Sequence, residues 1–285
     1  MRRLLLLGAG GMFGRDAAPA FEAAGFPVAG GDLPAVDIAS PESLARFLDA
    51  HPADVVVNAA AYTDVDGAES RVDEASRANA AGAGAVARAC SERGLFLVHL
   101  STDHVFPGDR PHGYSPGDPP GPAVNAYGRT KLEGERAVAA AMPPGRFLVC
   151  RTQWLYGRTG RSFPDAILRL SAARGELRVV DDQWGAPTYT DDLAGQIVAL
   201  LRAGAAGIAH AVNGGGPVTR FRFAEALVKA AGLACRVVPC ATAEFPRPAA
   251  RPRHGWLRQG LPTLPVRSWE VAMCDYLRAT GRAAA

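Results

Sequence analysis

Lysine is almost missing from this 285-residue chain. Of 31 basic residues only Lys131 and Lys229 are lysines, and the rest of the positive charge is carried by arginine. Arginine is a planar fork that never loses its proton, whereas lysine is a compact point charge, so a lysine here is a chemical choice. Runs of basic residues are also missing and the formal charge is only +3, so no nucleic acid partner is indicated. The longest apolar run near the start, Leu4 to Leu7, is cut off by glycines from Gly8. It is too short to span a bilayer or to form a secretory h-region, and no membrane partner is expected. CxxC spacing is absent, and five cysteines cannot pair evenly. A reducing cytoplasm is the expected location, with Cys90 and Cys150 acting as small hydrophobes in apolar segments. The histidines at 51, 112, 210 and 254 lack metal spacing, and no metal is predicted. There is no internal repeat.

Set against those absences, one of the two lysines follows a tyrosine by four residues, in Tyr127-Gly128-Arg129-Thr130-Lys131. Positions four apart share a helix face. A tyrosine hydroxyl titrates near pH ~10, and a fixed ammonium beside it stabilises the phenolate and lowers that value. The pair is a candidate proton donor for carbonyl chemistry, against the plainer reading of a tyrosine packed on a lysine stem.

The amino terminus reads as strand, glycine turn, helix, strand and acid. Leu4–Leu7 is a buried strand, Gly8, Gly11 and Gly14 punctuate the turn, an alanine-rich helix runs to about Ala24, and a second strand ends at Asp32. Glycines at that junction let backbone amides approach a pyrophosphate, and the acid accepts from a ribose hydroxyl. Asp32 leans the reading toward NADH, and Arg15 is the nearby residue able to receive a 2′-phosphate. Further units follow: a Ser40-capped helix to about His51, a strand at 54–58, a long helix over 71–93, a strand at 95–100, the Tyr127 helix to about Met142, and a strand at 147–151. Ser101-Thr102-Asp103-His104 then stands at the carboxyl end of a strand, where open α/β sheets bind ligands. The expected fold is an α/β, Rossmann-type doubly wound parallel sheet with a smaller, partly interleaved C-terminal lobe. Residues 1–151 form the NAD(P)-binding domain, with a returning segment near 188–213, and 152–285 mainly form a substrate lobe. In that lobe, helices are expected over 162–174, 190–202, 219–231 and 269–277, and an irregular stretch over 246–265.

These strings resemble the dTDP-4-dehydrorhamnose reductase family of extended short-chain dehydrogenases/reductases. The resemblance rests on GxxGxxG at 8–14, Val57-Asn58-Ala59-Ala60-Ala61-Tyr62, Ser101-Thr102-Asp103, Asn125-Ala126-Tyr127 through Lys131-Leu132-Glu133-Gly134-Glu135, Arg151-Thr152-Gln153-Trp154, and Asp182-Gln183-Trp184-Gly185-Ala186-Pro187-Thr188. It implies reduction of the C4 ketone of a dTDP-4-keto-6-deoxy sugar by NADPH or NADH. Tyr127 would be the general acid, Lys131 would hold the nicotinamide ribose, and Thr102 would bond the sugar oxygen with Asp103 beside it. Trp154 would pack on the sugar. Gly8, Gly11, Met12, Phe13, Gly14, Asp32, Asp37, Ile38, Ala59, Ala60 and Ala61 would line the cofactor. Other implied readings are an epimerase that keeps NAD⁺ bound, and a non-catalytic NAD(P)-binding regulatory subunit. Some relatives form a homodimer bridged by Mg²⁺. Asp16 and Asp191 are acids at matching places, but two surface acids carry no metal prediction.

The sequence departs from the family in places. His104 stands where relatives commonly have tyrosine, and is read as filling space. Gln153 replaces a small residue beside Trp154. His99 on its strand is read as a satisfied core histidine. Trp184 and Trp256 are read as packing residues, and Arg251 as a fork able to grip a phosphate.

Overall fold

A computed structural model describes residues 2–259 and 266–284. Five parallel strands form most of the main sheet: β1 (Leu4–Leu7), β2 (Val28–Gly31), β3 (Val55–Asn58), β4 (Phe96–Thr102) and β5 (Phe147–Thr152). A sixth, Gly207–His210, joins β5, giving the order Gly207–His210, β5, β4, β3, β1, β2. This is the doubly wound parallel sheet expected from the strand–helix alternation. Strands β1 and β3 are buried at every residue, as continuous aliphatic runs require when helices cover both faces.

Side chains alternate across the sheet. Leu4 and Leu6 join Phe13, Phe21, Leu193 and Ile197 from helices α1 (Met12–Ala23) and α7 (Thr190–Arg202) on one face. Leu5 and Leu7 join residues of α2 (Pro41–Ala50), α4 (Ala83–Glu92) and α5 (Ala126–Ala141) on the other. Ser40 caps α2 as expected, accepting from the Ser43 amide.

The single long helix expected over 71–93 is not continuous. It runs as α3 (Val72–Ser76), a π-helical stretch Arg77–Gly82, and then α4. The cause is local. Asn79 accepts from the Tyr62 amide and donates to the Tyr62 carbonyl and Thr130 Oγ1. A Cβ on Gly134 of α5 would lie 2.1 Å from the Asn79 carbonyl oxygen. Close packing and a polar clamp together widen the turn.

A separate apolar core gathers residues of α6 (Phe163–Ala173), α8 (Arg220–Ala230) and α9 (Trp269–Ala279) around Tyr156, Tyr189, Phe223 and Tyr276. Its small parallel ladder pairs Glu176–Val180 with Arg236–Cys240, a strand the periodicity did not reveal. The expected irregular stretch over 246–265 holds no regular element as far as Gln259, and its last six residues lie outside those described. Among the described residues no helix is long and apolar enough to cross a membrane.

Candidate active site

Chain order reverses between β1 and β3, which lie side by side with Leu7 opposite Asn58. At such a switch point the carboxyl ends of the strands leave a crevice. Gly8 opens the turn there at φ +84°, and a Cβ on it would sit 2.6 Å from the Ala60 amide nitrogen. On Gly14 a Cβ would lie 2.3 Å from the Gly8 carbonyl oxygen. Both positions therefore demand glycine. Helix α1 has Gly11 as its N-cap and gains no side-chain cap from it. Its first-turn amides are free to receive an anion at the positive end of the helix dipole. This is a fitting seat for the diphosphate of a dinucleotide.

Asp32 ends the next strand and faces this turn. Its Oδ2 accepts from the Gly10 amide at 3.0 Å and its Oδ1 from Leu33 at 2.8 Å. Further along, Asp37 pairs with Arg77. Two hydrogen bonds close the β4 end: the Thr102 hydroxyl donates to Asp103 Oδ1 at 3.1 Å and accepts from the His104 amide at 3.2 Å. Asn125 caps α5, accepting from the Gly128 amide at 2.7 Å, and so sets where Tyr127 and Lys131 emerge.

One cleft of about 620 Å³ holds these groups, a size suited to a bound small molecule. It is lined by the glycine turn (Gly8, Gly11, Met12, Phe13, Gly14), by Asp32, Asp37 and Ile38, and by Ala59, Ala60 and Ala61. The same wall continues through Thr102, Asp103, Tyr127, Lys131 and Trp154. The residues that the resemblance assigns to cofactor, sugar and chemistry thus line one cleft, whereas Arg15, read as able to receive a 2′-phosphate, does not.

The electrostatics of the tyrosine differ from the expectation. Lys131 does not lower the Tyr127 pKa. Burial raises it to about 12, opposed by the Thr102 hydroxyl and reinforced by Asp103. Lys131 itself is pushed down to about 8 by burial, with Glu135 acting the other way. Its ammonium donates to the Leu100 carbonyl at 2.7 Å. In a desolvated slot the charged form of each group loses hydration, and that loss sets the direction of both shifts.

Beneath Lys131 lies a buried ionic cluster. Arg151, fully buried, donates to both oxygens of Glu135 at 2.9 and 2.7 Å, and Ser101 donates to the same carboxylate. Burial raises the Asp103 pKa, and Gln153 Nε2 donates to Asp103 at 3.2 Å while its Oε1 accepts from Leu257. Gln153 therefore ties the β4 end to the late chain, a role its position beside Trp154 gave no hint of.

Arg220 at the start of α8 is a cleft residue that the sequence reading missed, as are Arg77 and Arg161. The Arg220 guanidinium carbon lies 3.7 Å from the Trp154 ring centroid and 4.8 Å from that of Phe163, and it lines the cleft. It has no hydrogen-bonding or ionic partner among the described residues, and burial lowers its pKa to about 9. Trp154 is held at φ +45°, with its ring against Gly185, where a Cβ would meet it at 2.4 Å. A bulky residue in the left-handed region costs about 1–3 kcal/mol, so such strain persists where surroundings enforce it.

Several expectations fall away. Arg251 does not face the cleft; it bonds Asp66 at 3.0 Å and the Ala249 carbonyl. Asp16 is not a surface acid but 1% exposed, accepting from the Arg158 amide, Thr159 and Thr190. His99 is half satisfied: Nδ1 meets Asn58 at 3.3 Å, while Nε2 is buried without a partner. The packing expected of Trp256 holds: it lies over Gly113 and donates to the Pro111 carbonyl, while Trp184 is exposed and off the cleft.

A doubly wound sheet with an uncapped glycine turn and a Tyr–Lys helix opening on one crevice defines a dinucleotide-binding protein of the short-chain dehydrogenase/reductase class. The family model described as "RmlD substrate binding domain" matches residues 1–280. A dTDP-4-dehydrorhamnose reductase of Mycobacterium tuberculosis is 41% identical, over 97% of this chain and 93% of its own length. A dTDP-4-keto-6-deoxy-D-glucose reductase of Streptomyces niveus is 38% identical, with 95% of each covered. A crystal structure of dTDP-4-dehydrorhamnose reductase from Bacillus anthracis in complex with NADP superposes with a TM-score of 0.93 at 33% identity, covering 97% of this chain and 99% of that one. The chain belongs to the dTDP-4-dehydrorhamnose reductase family.

Proposed function

We propose that this protein reduces the C4 ketone of a dTDP-4-keto-6-deoxy sugar, using NADPH or NADH, with Tyr127 as the proton donor. The observation that carries the reading is the meeting of Tyr127, Lys131 and Thr102 with the uncapped amides of α1 in one cleft. Bound there, a reduced nicotinamide dinucleotide supplies the hydride. The chain does the rest. The α1 amides hold a diphosphate, and Asp32 offers a carboxylate oxygen to a ribose hydroxyl. The Lys131 ammonium, anchored on Leu100, supplies positive charge beside the ribose and the developing alkoxide.

Tyr127 holds its proton on the phenol oxygen at neutral pH, because burial disfavours the phenolate. That is the protonation state a reduction needs, since the donor must be charged with its proton when the alkoxide forms. Thr102 and Asp103 orient the sugar oxygen, and Trp154 with Arg220 forms a flat, cationic wall suited to a sugar and its phosphate. We read residues 1–151, with 188–213, as the cofactor domain and the remainder mainly as the nucleotide-sugar lobe.

The test is NADPH oxidation against a panel of dTDP-4-keto-6-deoxyhexoses. Stoichiometric oxidation with at least one sugar is expected. Protein that purifies with bound NAD⁺ and consumes no reduced cofactor with any of them would contradict the reading and favour an epimerase.

A further inference from the structure

We infer that His104 donates a hydrogen bond from Nε2 to the oxygen on C3 of the sugar, and thereby selects sugars that carry that oxygen. This rests on the reduction proposed above and adds a recognition element to it.

The argument starts from the cap of α5. The Gly128 amide can only donate, so the Asn125 atom it meets at 2.7 Å is the carbonyl oxygen Oδ1. The other end of that amide is then Nδ2, a donor, which meets the Ala250 carbonyl at 2.8 Å and agrees with the assignment. The same Nδ2 lies 2.8 Å from His104 Nδ1. A donor facing Nδ1 requires a lone pair there, so the imidazole is neutral and its proton sits on Nε2. A second proton on Nδ1 would point at an amide NH₂. Burial lowers the His104 pKa, and the positive charge of Arg251 and Arg220 acts in the same sense; the neighbouring Asp103 and the Asn125 contact oppose them without reversing the direction.

Nε2 has no partner among the described residues and is not sealed off, and the ring lines the cleft. A fixed N–H donor therefore faces the ligand. Its place follows from Tyr127: the two rings meet edge-to-face with centroids 5.4 Å apart. With the Tyr127 hydroxyl at the C4 oxygen, the His104 edge reaches an adjoining carbon. Of the two carbons bonded to C4 in a 4-keto-6-deoxyhexose, C5 carries a methyl group and the weakly accepting ring oxygen, and C3 carries a hydroxyl. A donor matches C3. His104 does more than fill the space of a larger ring.

The experiment compares kcat/KM for a dTDP-4-keto-6-deoxyhexose bearing the C3 hydroxyl and for its 3-deoxy analogue. Wild type, His104→Phe and His104→Gln are assayed, with NADPH binding measured to confirm a folded cleft. The wild type favours the hydroxylated sugar by about 50-fold or more, because a site built to bond a polar group rejects the analogue that lacks it. His104→Phe brings the two sugars within about threefold of each other, and His104→Gln, which keeps an N–H donor, retains part of the preference. Nitrogen NMR of the free protein finds the Nε2–H tautomer. An unchanged sugar ratio in both variants, or a proton on Nδ1, overturns the inference while leaving the reduction standing. Wild-type protein that oxidises no NADPH with either sugar overturns the reduction, and this inference with it.

Discussion

The Lys131 ammonium lies 2.7 Å from the carbonyl oxygen of Leu100, and donates to it. Helix α5, which carries Tyr127, is thereby tied to β4, two residues before Thr102. A single charge thus joins two elements that line the cleft. Lys131→Met is expected to lower kcat/KM about 100-fold or more and to weaken NADPH binding. Lys131→Arg recovers little, because a planar fork does not fit a buried slot shaped for a point charge. Steady-state kinetics with fluorescence titration of the cofactor checks both.

Burial sets the pH behaviour. Lys131 titrates near 8, and Tyr127 near 12. Below about 8 the ammonium is charged and the phenol protonated, so both groups are ready for reduction. As pH rises through about 8 the ammonium discharges while the phenol keeps its proton. The rate kcat/KM is therefore flat from pH ~6 to ~7.5 and falls above ~8. In Lys131→Met the residual rate shows no such limb. Profiles taken at saturating NADPH test this.

Asp32 is held against the glycine turn by the Gly10 and Leu33 amides. Its negative charge opposes a 2′-phosphate at that place. Asp32→Ala is expected to raise the NADPH-to-NADH ratio of kcat/KM by about tenfold, equal to ~1.4 kcal/mol of differential binding. An unchanged ratio in the variant places the ribose elsewhere.

Arg151 and Glu135 form a buried ion pair beneath the cleft. Arg151→Met leaves the buried Glu135 carboxylate without its ion-pair partner, which costs about 3–5 kcal/mol of stability. Urea unfolding of the two proteins reads this as a lower midpoint at a similar slope.

Much of this was legible in the residues because the signals are local. Continuous aliphatic runs such as Val55-Val56-Val57 specify strands buried on both faces, and Gly8 and Gly14 occupy places where a side chain cannot fit. What escaped depends on contacts between distant parts. Arg220 lies 66 positions beyond the Trp154 it stacks on (220 − 154), with no motif marking it. The π-helical stretch arises from Asn79 meeting Thr130 and Gly134 of another helix. The tyrosine pKa was misjudged for a related reason. Spacing shows that a lysine is near, but the depth of burial, which decides the sign of the shift, is a property of the assembled cleft.

The most direct test of the account is the Tyr127→Phe variant, assayed for reduction of the best dTDP-4-keto-6-deoxyhexose while NADPH affinity is measured in parallel. Loss of the one hydroxyl is predicted to reduce kcat by about 10²–10⁴-fold, the usual worth of a positioned general acid, with NADPH affinity within about twofold of wild type. A variant that turns over at the wild-type rate would show that the proton comes from another group.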